Sequence, residues 1–253
     1  GLKGHEWSFS ILNDDGFERE VLVQAVSSDF LNELLKVLAS YGIRPARIDA
    51  VLSCQLEALQ EQYGESPGSS VLLDVGSRSV SLIVKGEDEA SFLRTFNFGG
   101  SLVTQALAKQ LDRSFQDAES MKLDWVKNHG DSENLDVLNQ CSEGFVSRLV
   151  NEVQRSLALF RRQEQKGNPD RILLTGGGSL LPGLADFLER KTGIQCAFYD
   201  PFRGVASGPG LATSQASHTS YALAASMGMA FGSLKASSKR GNLLPEHASA
   251  KWA

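Results

Sequence analysis

The chain is poor in the residues that build disulfide frameworks and metal cages. Its 253 residues include only three cysteines, Cys54, Cys141 and Cys196, widely separated and without CxxC spacing. A sparse, odd set excludes a disulfide framework and fits a reducing compartment. The four histidines, His5, His129, His218 and His247, are equally scattered, and no HExxH or Cys/His cluster marks a metal site. Positive charge is not in surplus: 25 Lys and Arg stand against 30 Asp and Glu, for a net charge of −5. That balance argues against nucleic acid as the main partner, because nothing is left over to neutralise phosphates. Long apolar runs are missing too. The longest, residues 221–234, is broken by serines and glycines and is shorter than the ~20 residues that span a bilayer. The N-terminus has no charged-then-apolar signal pattern. Gly1-Leu2-Lys3-Gly4 lacks a methionine, so the chain is expected to begin inside a longer natural protein.

What is present is the composition of an ordinary globular protein, 42% hydrophobic and 22% charged. Residues 7–12 and 18–26 are short β-rich runs joined by Asn13-Asp14-Asp15-Gly16, a hairpin signal. Residues 30–41 repeat leucines at helical spacing and stop at Gly42. Residues 43–50 read as a strand and 52–63 as a helix ended by Gly64. From residue 71 three strands follow in quick succession (71–75, 80–84, 91–96). Helices then open after Phe98-Gly99-Gly100 and at the capping sequence Ser114-Phe115-Gln116-Asp117. Residues 141–162 form a long amphipathic helix, 171–175 a buried strand, 182–191 a helix and 195–199 a further strand. Residues 202–219 read as loop, 221–234 as a helix of small residues, and 235–253 as a flexible tail. The alternation predicts an α/β protein with a boundary near residues 65–70.

Three groups of residues carry chemistry. Asp74-Val75-Gly76-Ser77-Arg78-Ser79 lies between two strands. Gly76 frees the turn so that backbone amides and the Ser77 and Ser79 hydroxyls can face an anion, and Asp74 is placed to hold a hydrated Mg²⁺. Gly176-Gly177-Gly178-Ser179 follows a buried strand and lets a flat ligand or its phosphates approach the backbone. The G-x-G-x-x-G fingerprint fails at Leu181, and no Walker loop occurs. Glu119 and Lys122 are neighbours on one helix face. Taken singly, these are also what a hairpin, a tight turn and a surface ion pair look like.

Their order resembles the second half of the actin-like ATPases, with the closest fit to the PilM and FtsA branch, over residues 9–234. The resemblance implies a partial actin-like (ribonuclease H-like) fold. Residues 1–65 would be a 1C-type subdomain with the first hinge helix, and residues 66–234 the second actin-like lobe. It implies ATP and Mg²⁺ as cofactors of the full-length protein, with poor ATP affinity expected of this chain alone: Asp74, Gly76, Ser77 and Ser79 as the second phosphate loop, with Asp74 towards the metal. Glu119 and Lys122 would contact the nucleoside, and Gly176, Gly177, Gly178 and Ser179 would form the adenosine loop. Ala224, Ala225, Gly228 and Ala230 match a hinge helix of small residues. Phe98-Gly99-Gly100 and residues 198–202 look more like PilM than FtsA.

The resemblance further implies a cytoplasmic scaffold in type IV pilus assembly, peripheral to the inner membrane and held there through a PilN-type partner. Two alternatives remain: an active ATPase or small-molecule kinase of the same superfamily, and an FtsA-like division protein. Actin-like sites use two D-x-G hairpins, and the sequence supplies one, so little hydrolysis is expected. The water-activating position falls on Val51, Gln55 or Glu57 in different alignments. Asn242-Leu243-Leu244-Pro245 resembles the Asn-Leu-Leu-Pro pattern of PilN peptides, which points to occupation of a partner groove or self-association through the tail.

Overall fold

Two short apolar runs joined by a polar turn pair as an antiparallel hairpin, β1 (His5–Asp14) with β2 (Arg19–Ser27). Strand alternation sends Ser8, Ser10 and Leu12 to one side and Trp7 and Phe9 to the other. The second side is open: Trp7, Phe9, Val21 and Val23 are all exposed. Helix α1 (Ser28–Ser40) starts where the Ser27 hydroxyl accepts the Phe30 amide, and it buries Leu31 and Leu35. Residues 43–50, expected as a strand, join no ladder in the computed structural model. Pro45 offers no amide donor, and the Ile48 amide and carbonyl are engaged by Asn242 and Leu243 instead of by a strand. Helix α2 (Val51–Tyr63) follows.

The described residues are 2–14, 16–86, 91–164, 167–206, 220–234 and 241–245. They fall into two units, Gly1–Glu61 with Ala225–Ala253, and Gln62–Ala224.

The second unit is built on a five-stranded mixed sheet of β3 (Ser70–Val75), β4 (Val80–Lys85), β5 (Ser91–Phe96), β6 (Arg171–Thr175) and β7 (Gln195–Phe198). Its spatial order is β5-β4-β3-β6-β7, with β3, β4 and β5 antiparallel and β3, β6 and β7 parallel. The near-continuous apolar composition of β3 and β6 follows from this central position. Val71, Leu73 and Val75 join the main core, and Leu72 on the opposite face is buried as well. Helices α3 (Ser101–Gln110), α4 (Phe115–Lys127), α5 (Leu135–Glu164) and α6 (Leu184–Thr192) contribute to the same core. Ser114 caps α4 by accepting the Asp117 amide at 3.1 Å. Helix α5 runs 30 residues and buries Phe145, Leu149, Val153, Leu157 and Phe160 along one stripe. Gly193, at φ 70°, ends α6.

Helix α7 (Ala224–Leu234) belongs to the first unit from Ala225 onward. Gly228 lies so close to α2 that a Cβ would collide with the Cys54 carbonyl. Residues 241–245 also lie in the first unit, with Leu243 and Leu244 buried. The remainder of the expected tail, and most of the loop over 202–219, lie outside the described residues. Among the described residues no helix is long and apolar enough to cross a membrane.

Candidate functional site

Asp74 is the penultimate residue of β3 at the centre of the sheet, opposite Ser81 on β4 and Thr175 on β6. The turn that follows closes through the Gly76 amide, which donates to the Ser79 carbonyl at 3.0 Å. Ser77, Arg78 and Ser79 are exposed at its tip. The start of α3 is laid directly on this turn: the Gly100 amide donates to the Gly76 carbonyl and the Ser101 amide to the Ser77 carbonyl, both at 2.9 Å. Gly99 makes that approach feasible, since a Cβ there would stand 2.6 Å from the Ser77 carbonyl carbon. The sequence offered Gly99 and Gly100 only as a family signature; their physical reason is this backbone-on-backbone packing.

The glycine turn after β6 meets the same point from the other side. Gly176 has φ 83°, and the Asp74 carboxylate fills the space a side chain would need. At Gly178 a Cβ would lie 2.7 Å from Val75 Cγ1 and 2.8 Å from the Val75 carbonyl oxygen. The short 3₁₀ turn over Gly177–Leu180 is held by the Ser179 hydroxyl, which donates to the Gly176 carbonyl at 2.6 Å. Tyr221, not singled out from sequence, secures the turn through its carbonyl. That oxygen accepts from the Gly176 amide and from the Thr175 hydroxyl, each at 2.6 Å.

Lys122 brings the third group in. Its Nζ donates to Glu119 at 2.8 Å, to Thr104 Oγ1 at 2.9 Å and to the Gly100 carbonyl at 3.4 Å. Thr104 in turn donates to Glu119. Sequence reasoning missed Thr104, which is fully buried on α3 one turn past Gly100; a buried threonine in a helix leaves little linear signal. The Lys122 side chain is 10% exposed and that of Glu119 33%, so the pair is half sunk rather than solvated. Burial works to raise the Glu119 carboxyl, but the hydrogen bonds from Lys122 and Thr104, together with the Lys122 charge, outweigh it and hold the group below its ordinary value.

The three groups named from sequence therefore share one region of the second unit. Gly100 links them: a Cβ there would be 3.8 Å from Gly178 Cα, 3.8 Å from the Gly76 carbonyl and 4.0 Å from Lys122 Nζ. Ser77 and Ser79 stand at the exposed rim, and Asp74 is half-buried beneath them. One carboxylate and two hydroxyls are hard oxygen donors of the kind a magnesium ion accepts while keeping most of its waters. The donor set of Asp74, Ser77 and Ser79 fits a hydrated magnesium ion beside phosphates. Among the described residues no three His, Cys, Asp or Glu side chains gather into a metal cage. Of the three residues considered for water activation, Val51 is exposed at the start of α2, Gln55 is buried and Glu57 half-buried, all in the first unit.

The family model "Type IV pilus assembly protein PilM" matches residues 9–234. A solved structure described as the PilM–PilN type IV pilus biogenesis complex is similar at a TM-score of 0.77 and 25% identity, covering 91% of this chain and 67% of that one. An archaeal actin homologue aligns at a TM-score of 0.51 and 13% identity over 89% of each chain, a likeness of fold alone. Among curated proteins, the cell division protein FtsA of Enterococcus hirae is 24% identical over 157 residues, or 54% of this chain. The chain spans only 35% of the length of that relative. The α/β architecture is that of the actin-like ATPases, as the order of motifs implied.

Proposed function

The chain belongs to the PilM family of type IV pilus assembly proteins, and on that premise we propose that it is a nucleotide-binding scaffold on the cytoplasmic face of the pilus assembly platform. It would bind the cytoplasmic peptide of an inner-membrane partner of PilN type and reach the membrane only through that partner. ATP with Mg²⁺ is the proposed ligand, and its phosphates supply the charge that the site is shaped to neutralise. Asp74 would hold the hydrated metal, with the Gly76, Ser77 and Ser79 turn beside the phosphates. Gly176, Gly177, Gly178 and Ser179 would pass under the adenosine, with Lys122 and Glu119 at the nucleoside. The observation that carries this reading is the meeting of the β3–β4 turn, the glycine turn after β6 and Lys122 around Gly100. A ligand there biases conformation through differential binding, without any need for chemistry.

Calorimetric titration of the chain with ATP and Mg²⁺ tests it, with Asp74→Ala alongside. Saturable binding that Asp74→Ala weakens at least about tenfold, equivalent to ~1.4 kcal/mol, is the expected result. Equal binding by both proteins, or none by either, would sink the assignment of Asp74. Rapid turnover of ATP would move the protein to the ATPase or kinase reading.

A further inference from the structure

Gly176, Gly177 and Gly178 stand in a row, but the packing of the second unit accounts for only two of them. Gly176 combines φ 83° with the Asp74 carboxylate in the place of a side chain. At Gly178 a Cβ would collide with Val75. Gly177 has neither constraint. It does not adopt the left-handed backbone, and among the described residues the one atom within 4 Å of its missing Cβ is Tyr221 Cε2. That atom stands at 3.8 Å, an ordinary contact. Alanine would fit there and would restrict the unfolded chain, so the fold gains nothing from glycine at this position. A glycine that packing does not require leaves backbone open to close approach by a ligand.

Gly177 is exposed, and its neighbour is aromatic. Tyr221 is half-buried in the short 3₁₀ turn over Ser220–Ala222. Its main chain and side chain do separate things. The carbonyl holds the Gly176 amide and the Thr175 hydroxyl, which any residue could do. Nothing in that role calls for a ring, yet the ring edge is turned to Gly177. The glycine backbone thus lies between an aromatic ring at Gly177 and the start of α3, whose Gly100 approaches Gly178 Cα.

We propose that Tyr221 is the base-stacking residue of the nucleotide site, its ring and the bare Gly177 backbone together forming the platform for the flat base. The proposal rests on the nucleotide reading of this region and deepens it. Asp74 and the β3–β4 turn deal with phosphate and metal charge, which all nucleoside triphosphates share, whereas Tyr221 deals with the base. Aromatic side chains stack on bases through their faces, and a purine offers the larger face, so the platform favours purine over pyrimidine nucleotides. A methyl group on residue 177 would hold the base off the platform, at a cost in binding and not in stability.

Calorimetric titration with ATP, CTP and inorganic tripolyphosphate, each with Mg²⁺, tests the proposal. The proteins are the unaltered chain, Tyr221→Ala, Tyr221→Phe, Gly177→Ala and Asp74→Ala. Tyr221→Ala should bind ATP about tenfold more weakly but tripolyphosphate equally well, and Tyr221→Phe should recover the loss. The preference for ATP over CTP should vanish in Tyr221→Ala. Gly177→Ala should melt with the unaltered chain yet bind ATP about tenfold more weakly. Saturation-transfer NMR gives an independent reading that extends to weak binding. Relative to the ribose protons, the base protons of ATP should receive less saturation from Tyr221→Ala than from the unaltered chain. Parallel loss of ATP and tripolyphosphate binding would make Tyr221 a structural residue and overturn the proposal. So would ATP binding that Asp74→Ala weakens and Tyr221→Ala does not; the nucleotide reading would survive either result. Absence of ATP binding by the unaltered chain would sink that reading and the proposal with it. If Tyr221→Ala does not fold, Gly177→Ala decides: unchanged ATP affinity overturns the proposal, and a tenfold loss upholds it.

Discussion

The carboxylate of Asp74 occupies the space that a side chain on Gly176 would need, so the end of β3 and the turn after β6 are complementary surfaces. One residue is a candidate ligand and the other its neighbour by necessity. Substitutions at the two positions should therefore fail in different ways.

Gly176→Ala should destabilise the second unit by about 2–4 kcal/mol, because it combines a positive φ with a collision against Asp74. Gly183→Ala is the control. That glycine also has φ 75°, but nothing lies within 4 Å of the place its methyl group would take, so only the backbone cost of about 1 kcal/mol should appear. Urea titration followed by far-ultraviolet circular dichroism measures both, and equal losses would refute the steric argument.

Asp74→Ala should leave the fold intact and act on ligand binding alone, since Asp74 is half-buried beneath the turn and its truncation creates space beside Gly176 rather than a collision. A loss of thermal stability comparable to that of Gly176→Ala would show Asp74 to be a structural residue instead.

The Glu119 carboxyl is held below its ordinary value of 4.5, which fixes the sign of a pH effect. A carboxyl depressed in the folded state stabilises the fold above its unfolded-state value, and that contribution is lost as pH falls through the folded-state value. The stability gap between the unaltered chain and Glu119→Gln should thus be present near neutrality and close as the pH falls through and below the ordinary carboxyl range. Thr104→Val, which removes one of the hydrogen bonds responsible, should narrow the gap at neutral pH. Denaturation curves from strongly acidic to neutral pH would show it, and a gap that widens in acid would contradict the assignment.

How far the sequence revealed this site depends on the kind of contact involved. The strands around Asp74 and Gly176 were legible, because central strands of a mixed sheet must be apolar on both faces and β3 and β6 are. The turns were legible through their glycines. Thr104 and Tyr221 were not: one contributes a hydroxyl buried inside a helix packing, the other a main-chain carbonyl, and neither leaves a pattern along the chain. Residues 43–50 read as a strand from sequence but join no ladder. Their partner, however, is the Asn242-Leu243 pair nearly two hundred positions away, and no local rule announces it.

Cys196 offers a check on the chemistry of the second unit. Burial, with Glu189 and Asp186 nearby, pushes its thiol up to about 11, so at pH 8 only about one molecule in a thousand carries the reactive thiolate. Iodoacetamide should label the folded protein slowly and the unfolded protein far faster. Glu189→Gln should speed labelling of the folded form, and an unchanged rate would mean the carboxylate has no influence there.

The placement of the aromatic residues decides what an optical experiment can see. Trp125 is 1% exposed in the second unit, with its indole nitrogen bound to the Gly130 carbonyl, whereas Trp7 is 55% exposed on the hairpin of the first. With Trp252, which lies outside the described residues, replaced by phenylalanine, intrinsic fluorescence would shift when Trp125 meets water and barely respond at Trp7. Emission would then follow the melting of the second unit almost alone, and the first unit could come apart unseen.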